Sequence, residues 1–531
     1  MSDSWRILVA DEIPPEGLAL LRAAPGVEVD DARLGRADLL TRLDAYDVLV
    51  VRSGTLVDRA LIERGTRLRV IARAGLATDN IDVVAATQRG IMVMNTPEPY
   101  SVAAAEHTLA LMLALCRHLP AADAEVRRGH WHRHKFLGTQ LHGKVLGLVG
   151  LGRVGQLVAA RALAFGMHLL AYDPYADERE ARDLGVTLAT FDEVLTQSDF
   201  ISLHAVVTPE THQLLGPAEF ARLKPGARLV NCARGELIDE TALFQALVSG
   251  RLAGAALDVF GIEPPTDSPL LQLPNVIFTP HLGASTHEAQ REVSLQIAQQ
   301  VLDALKGIDY RNVVNLPFVP GPHFATTRPY LDLAQRLGAL QAQMAGDGLV
   351  SVEIEVKGDE AASLVKAVAV ALLTGLLGQG PGVQVNYINA PLLAAEQGVT
   401  VTQARGLETA DYANLISCRV RWNTGERLVA GTLFGGVESR LVQLDEFRMD
   451  ARPRGQVLVM YSRDVPGVIG VVGTLLCQHG VNIAEWRLGR DQPGGTALSF
   501  INLDSAVPAE SLLALRALSQ VIDVRSVVLP P

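Results

Sequence analysis

The chain has 531 residues, 48% of them hydrophobic and 20% charged, and a formal net charge of −11. That is too long for one hydrophobic core and corresponds to about three or four domains of ordinary globular composition. The acidic balance argues against general nucleic-acid binding, so an anionic ligand would need a local basic cluster. Cys116, Cys232, Cys418 and Cys477 are scattered with no C-x-x-C pair, which fits the reducing cytoplasm better than a disulfide framework or a zinc site. The opening M-S-D-S-W-R-I-L-V-A-D-E places acids on both sides of a very short apolar run and is not a signal peptide. The longest apolar stretch, 367–377, is far below membrane-spanning length.

In chain order, apolar runs at 6–10, 48–51, 68–72 and 91–94 read as buried strands, and 15–23 as a helix with Pro15 at its start. The strands lead into R-S-G-T, R-A-G-L-A-T-D-N-I-D and N-T-P. Their alternation with helical stretches predicts a small α/β domain. A helix over 101–116, capped by Ser101, carries the chain into a second lobe built on 145–173 and on strands at 200–203, 228–232, 254–257 and 276–279. A helix over 288–305 crosses back, and two lobes joined twice should hinge about a cleft. P-F-V-P-G-P at 317–322 is a linker, 323–452 a further α/β segment, and strand–helix–strand spacing recurs from Gln456 onward. The domains expected are 1–98 with 286–318, then 99–285, 319–452 and 453–531.

The stretch 145–173 is the most informative. An apolar strand runs into Gly150, Gly152 and Gly155 in G-x-G-x-x-G spacing, a helix-period pattern follows, and a second strand ends in Asp173. One glycine permits a tight turn, one lets backbone approach a pyrophosphate, and one lets the helix pack on its strand. The helix N-terminus presents free N–H groups to the phosphates. Asp173 can accept from a ribose hydroxyl and would repel the 2′-phosphate of NADP, so NAD is the expected cofactor. The first two domains are then Rossmann-like, doubly wound α/β lobes.

Past the ends of later strands stand Arg234 in A-R-G-E-L-I-D, Glu263 in A-L-D-V-F-G-I-E-P-P and His281 in T-P-H-L-G-A-S-T. Taken singly, each is ordinary turn or loop chemistry. Beside a nicotinamide they have distinct tasks. Histidine can take a hydroxyl proton, a carboxylate can orient the imidazole and favour its protonated form, and a guanidinium can hold a carboxylate bidentately.

These segments, with N-C-A-R-G-E-L-I-D-E-T-A-L and N-V-I-F-T-P-H-L-G-A-S-T, closely resemble those of NAD-dependent D-2-hydroxyacid dehydrogenases. R-S-G-T, R-A-G-x-x-x-D-N-I-D and V-x-N-T-P are similar to the D-3-phosphoglycerate dehydrogenase branch. N-A-P-x-x-A-x-x-x-G-V and G-T-L-F-G are similar to its long form, and D-V-P-G-V-I-G-V-V-G-T-L-L-C-Q-H-G-V-N-I-A to an ACT regulatory domain of βαββαβ order. The resemblance implies oxidation of 3-phospho-D-glycerate to 3-phosphohydroxypyruvate, the first step of serine synthesis, with no metal.

By this likeness His281 is the acid/base, Glu263 its partner and Arg234 the carboxylate anchor. Arg153 and Val154 cover the pyrophosphate, while Cys232, Ala233, Asp258 and Gly283 lie along the cofactor. Cys232 is expected to be a packing residue, not a nucleophile. Arg52, Ser53, Gly54 and Arg73 contact substrate, and Arg133 in H-W-H-R-H-K is a phosphate ligand that can come from a neighbouring subunit. The chain departs from the family's usual pattern at Leu76-Ala77, at H-A-V-V-T from His204 and at Glu98-Pro99-Tyr100.

The C-terminal domain carries Tyr461, Asp464 and Asn482 as a candidate L-serine site. The helix start after Pro466-Gly467 suits a carboxylate, Asp464 an amino group, and Asn482 offers donor and acceptor. In ACT domains two copies pair around the ligand, which implies a homo-oligomer, a tetramer. Two other functions stay open: a dehydrogenase for an unphosphorylated acid such as glycerate or hydroxypyruvate, and a non-enzymatic NAD- and amino-acid-sensing module. The long extension beyond Pro322 argues against the first, and the joint presence of Arg, Glu and His against the second.

Overall fold

The computed structural model describes residues 4–320, 324–346, 348–358, 361, 363–378, 384–406 and 411–531. Runs that are apolar on both faces pair into a parallel five-stranded sheet in the order Val27–Asp30, Trp5–Val9, Val48–Val51, Val70–Arg73, Met92–Met94. Val48–Val51 is buried at every residue, as a central parallel strand must be. The edge strand Val27–Asp30 alternates apolar and acidic residues and carries no continuous apolar run.

The second sheet is also parallel, with seven strands in the order Val276–Phe278, Leu252–Leu257, Ala227–Asn231, Phe200–Leu203, Val145–Val149, His168–Tyr172, Thr187–Leu188. Strand order reverses on either side of Val145–Val149, so a crevice opens at its C-terminal end, where doubly wound sheets bind ligands.

Helices Pro97–Arg117 and His287–Leu305 join the lobes. The first begins at Pro97, earlier than expected, because proline is preorganised for a first helical turn. Ser101 is therefore inside the helix and donates to the Pro97 carbonyl instead of capping it. The start of this helix, Tyr100 and Ala103, packs into the first lobe's core with Val293 and Ile297. From Ala105 to Cys116 it packs into the second lobe's core. Among the described residues this is the one helix long and apolar enough to cross a membrane, and it is mostly buried between the lobes.

Next comes a six-stranded mixed sheet, ordered Thr400–Gly406, Leu349–Lys357, Leu415–Trp422, Gly425–Phe434, Glu438–Leu444, Phe447–Ala451. Helices Phe324–Gln343 and Val365–Leu377 pack on it. The two helices touch backbone to backbone: a Cβ on Gly338 would fall 2.1 Å from the Leu372 oxygen. Gly321 and Pro322 of the expected linker lie outside the described residues.

The C-terminal unit runs Gly455–Arg463, helix Val468–Gln478, Ile483–Arg490, Thr496–Leu503, helix Ala509–Arg516, Val521–Leu529, which is the βαββαβ order. Side chains alternate along Gly455–Arg463: Leu458 and Met460 face its own helices, and Val457, Val459 and Tyr461 face the preceding domain.

Candidate active site

The dinucleotide end is built from the glycine loop. Gly150 has φ +98, and a Cβ there would lie 2.7 Å from the His204 carbonyl carbon. A Cβ on Gly155 would lie 2.4 Å from the Gly150 oxygen, so helix Arg153–Ala164 can approach its strand only with glycine there. Gly152, at the helix N-cap, faces open space. This is the cradle that a pyrophosphate would fill. Asp173 ends the neighbouring strand, where its Oδ2 accepts from Leu151 N at 2.8 Å and its Oδ1 from Tyr175 N at 2.9 Å. Each oxygen keeps a free lone pair for a ribose hydroxyl. Val154 is half-buried against the lobe's core.

Arg153 is paired across the lobes. Its NH1 donates to Glu98 Oε1 at 3.0 Å, and Glu98 Oε2 accepts from Gln296 and, at 3.1 Å, from Asn312. The acid of the unusual Glu98-Pro99-Tyr100 segment thus holds the arginine beside both interlobe crossings.

The reacting end gathers the later strand ends. His281 Nδ1–H donates to Glu263 Oε2 at 2.9 Å, while Glu263 Oε1 accepts from the Phe260 amide. This leaves His281 Nε2 for a substrate. His281 has φ +54, a left-handed conformation uncommon outside glycine, and its amide is held by the Asp258 and Thr279 carbonyls. The Asp258 carboxylate anchors the same loop. It accepts from Leu282 N at 2.7 Å and Gly283 N at 2.8 Å, and from His107 Nε2 and Thr279 Oγ1. Burial alone would raise Asp258, but these four donors outweigh it and hold the carboxyl below its usual range. Asp258 was expected along the nicotinamide. It borders the cleft, yet its charge is used to shape the 281–283 loop.

Arg234 caps a short turn, its NH1 donating to the Ala233 carbonyl at 2.7 Å, and Asn231 Nδ2 donates to the Arg234 carbonyl. Ala233 N in turn donates to Asn231 Oδ1. Across the lobes, Arg234 NH2 lies 3.7 Å from Asp79. Arg52 donates to Gln290 Oε1 at 2.6 Å, and Arg73 to Asn80 Oδ1. Burial lowers the Arg73 guanidinium, and Arg234 and Arg52 are close enough to add to this. Cys232 is pushed up to about 12 by burial and packs against the second lobe's core.

Arg52, Ser53, Arg73, Arg234, Glu263 and His281 line one cleft of about 770 Å³, together with Cys232, Asp258 and Gly283. Of the expected substrate residues, two stay out of it. Gly54 sits against the Asp11 carboxylate, whose oxygens knit that loop, and Arg133 lies on the exposed turn Arg133–Phe136. Three supporting residues carried no sequence signal of their own: His107 and Thr279, which hold Asp258, and Asn80, whose Nδ2 donates to the Arg52 and Thr55 carbonyls. Asn80 and Thr279 stood within recognised motifs, but without assigned tasks.

At the C-terminal site the three expected residues do not share one cavity within the chain. A cavity of about 210 Å³ is lined by Asp464, Val465, Pro466, Gly467 and Ile469, but not by Tyr461 or Asn482. Tyr461 donates to Asp445 Oδ2 at 3.2 Å and packs against Phe447, because strand alternation turns it to the opposite sheet face. Asn482 Nδ2 donates to Asp504 at 2.6 Å. Asp464 Oδ2 accepts from Gly494 N and Arg490, which hold it below the usual carboxylate range.

Residues 109–283 match the family described as D-isomer specific 2-hydroxyacid dehydrogenase, NAD binding domain, and 326–445 match the D-3-phosphoglycerate dehydrogenase intervening domain. The D-3-phosphoglycerate dehydrogenase of Synechocystis sp. is 41% identical over 504 residues, 95% of this chain and 91% of that protein. The chain belongs to the D-3-phosphoglycerate dehydrogenase family. The D-3-phosphoglycerate dehydrogenase of Bacillus subtilis is 38% identical over 99% of this chain and 100% of its own length. Among solved structures, the TT0316 protein of Thermus thermophilus shares 38% identity with a TM-score of 0.54, over 58% of this chain and 99% of its own. A D-lactate dehydrogenase of Aquifex aeolicus complexed with NAD and lactic acid shares 28% identity with a TM-score of 0.51, over 57% of this chain and 96% of its own. The solved folds thus correspond in length to the two dehydrogenase lobes. As a D-3-phosphoglycerate dehydrogenase family member, the chain is an NAD-dependent oxidoreductase, and its glycine cradle and Asp173 suit that cofactor.

Proposed function

We propose that this chain oxidises C2 of 3-phospho-D-glycerate to give 3-phosphohydroxypyruvate, the first step of L-serine synthesis. The observation that carries this is the Glu263–His281 pair facing Arg52, Arg73 and Arg234 across one cleft. NAD bound at the glycine loop and Asp173 supplies the hydride acceptor. His281 Nε2 takes the hydroxyl proton, and Glu263 holds the ring and balances the imidazolium charge. Arg234 grips the carboxylate and polarises the developing carbonyl. Arg52 and Arg73 receive the phosphate, joined by Arg133 from a neighbouring subunit. Hydride transfer needs no nucleophile, so Cys232 only packs.

In this proposal 1–98 with 286–318 form the substrate domain, 99–285 the NAD domain, 319–452 an intervening domain and 453–531 an ACT domain. The ACT domains pair in a homotetramer and take L-serine as feedback effector between Asp464 of one copy and Asn482 of another. The free cysteines suit the cytoplasm. The test is a substrate panel with NAD, followed by NADH absorbance with and without serine. Phosphoglycerate turnover far above that of glycerate supports the assignment, and the reverse preference favours the unphosphorylated-acid enzyme.

A further inference from the structure

Helix Leu119–Arg127 buries none of its residues, yet the Glu125 side chain near its end is only 14% exposed. What covers it is the chain's own return. After Arg127 the backbone reverses at Gly129, whose φ is +82, and the amide of His130 donates to the Glu125 carbonyl at 3.0 Å. The H-W-H segment then lies back over the carboxylate. His130 Nδ1 is 3.5 Å and His132 Nδ1 is 3.2 Å from the same oxygen, Glu125 Oε2, and the two rings stand 5.5 Å apart at 45°. The other oxygen, Oε1, accepts from Lys135 Nζ at 2.9 Å.

We infer that Glu125, His130 and His132 form a surface binding site for a zinc-class divalent cation. A tetrahedral zinc ion with nitrogen and oxygen ligands at about 2.0–2.1 Å sets neighbouring ligand atoms roughly 3.3 Å apart. The two distances from Oε2 match that edge, and all three ligand atoms lie within 4.8 Å of one another. Neutral imidazoles would turn their Nδ1 lone pairs to the ion. Lys135 occupies Oε1 and keeps the carboxylate monodentate. Two imidazoles and one carboxylate leave a fourth position for a water or a group from a neighbouring chain, and both histidine side chains are more than half exposed in the single chain.

Among the described residues the other grouping of this kind, His107, Cys232 and Asp258, does not compete. The Asp258 oxygens already accept four hydrogen bonds, and burial pushes the Cys232 thiol up, away from the thiolate a metal needs. In the 125–132 site the contacts an ion would displace are those between the ligands themselves. An ion there would also fix the backbone beside Arg133.

The test is titration of metal-stripped full-length protein with Zn²⁺ by calorimetry and with Co²⁺ by its visible absorption, which intensifies in tetrahedral sites. One ion per chain at this site is expected. His132→Ala and Glu125→Gln should each weaken Zn²⁺ binding at least tenfold, the His130→Ala/His132→Ala double variant should abolish it, and His168→Ala, on an exposed strand start, should leave it unchanged. Far-UV circular dichroism confirms that the variants are folded. No uptake by the wild type at about 10² μM Zn²⁺, or full uptake by the folded double variant or by Glu125→Gln, would overturn the site.

Discussion

Arg153 NH1 lies 3.0 Å from Glu98 Oε1, so the arginine at the start of the pyrophosphate-facing helix is tied to the helix that joins the lobes. The pair is exposed on both sides, and such pairs contribute about 0.2–1 kcal/mol. Glu98→Gln should release Arg153 and remove a negative charge near the pyrophosphate, which tightens NAD by about two- to fivefold. Arg153→Ala should weaken it. Fluorescence titration with NADH measures both. Asp173→Ala should weaken NAD and narrow its preference over NADP; efficient wild-type turnover with NADP would contradict that assignment.

His281→Ala should lower kcat by about 10² or more, the usual range for loss of a general acid/base. NAD affinity should stay near wild type, because His281 sits at the reacting end of the cleft. Glu263→Gln should be milder, since its amide oxygen can still accept from Nδ1–H while the charge is lost. Steady-state kinetics with 3-phosphoglycerate separate the two, and an unchanged kcat for His281→Ala would remove it from the mechanism.

Arg52 and Arg73 should matter for the phosphate more than for the rest of the substrate. Each replaced by alanine should raise KM for phosphoglycerate about tenfold or more, and KM for glycerate far less. Equal effects on the two acids would place the phosphate elsewhere. Arg133→Ala tests whether an arginine outside its own cleft serves a neighbour: mixing inactive Arg133→Ala and His281→Ala subunits should restore part of the activity if it does.

The His204 imidazole is brought down to about 4 by burial, with its Nε2 hydrogen-bonded to Ser202 Oγ at 2.9 Å. Its ordinary value is about 6.5. The unfolded chain therefore takes up the proton first, and between about pH 6.5 and 4 stability falls as pH falls. Above that window both states are neutral and the contribution is constant. Thermal melts of wild type and His204→Gln should converge by about 1–3 kcal/mol across that interval. Parallel curves would assign the acid sensitivity to other groups.

If serine binds between ACT domains, Asp464→Ala and Asn482→Ala should leave uninhibited turnover intact and weaken serine binding to the full-length enzyme. Tyr461→Phe should have no effect on serine, because its hydroxyl faces Asp445 in the preceding domain. Calorimetry on wild type with no serine heat would remove the sensing role.

The sequence alone carried the two dehydrogenase lobes and most of the cleft, because those features are local. A parallel strand buried on both faces is a continuous apolar run, as at Val48–Val51 and Val145–Val149, and Gly150, Gly152 and Gly155 follow from backbone geometry within one βα turn. Arg234, Glu263 and His281 were legible because each follows a strand end, and a doubly wound sheet gathers those ends at one edge. Contacts between segments distant in sequence were decided by tertiary structure. Nothing in H-T-L-A-L marks His107 as the donor that helps fix Asp258, which lies 151 positions away. The tie between Glu98 and Arg153 depends on how the two lobes meet. Tyr461 was misplaced for a similar reason: strand alternation shows that neighbouring residues face opposite ways, but which face meets a ligand and which a second domain is set only when the sheet docks.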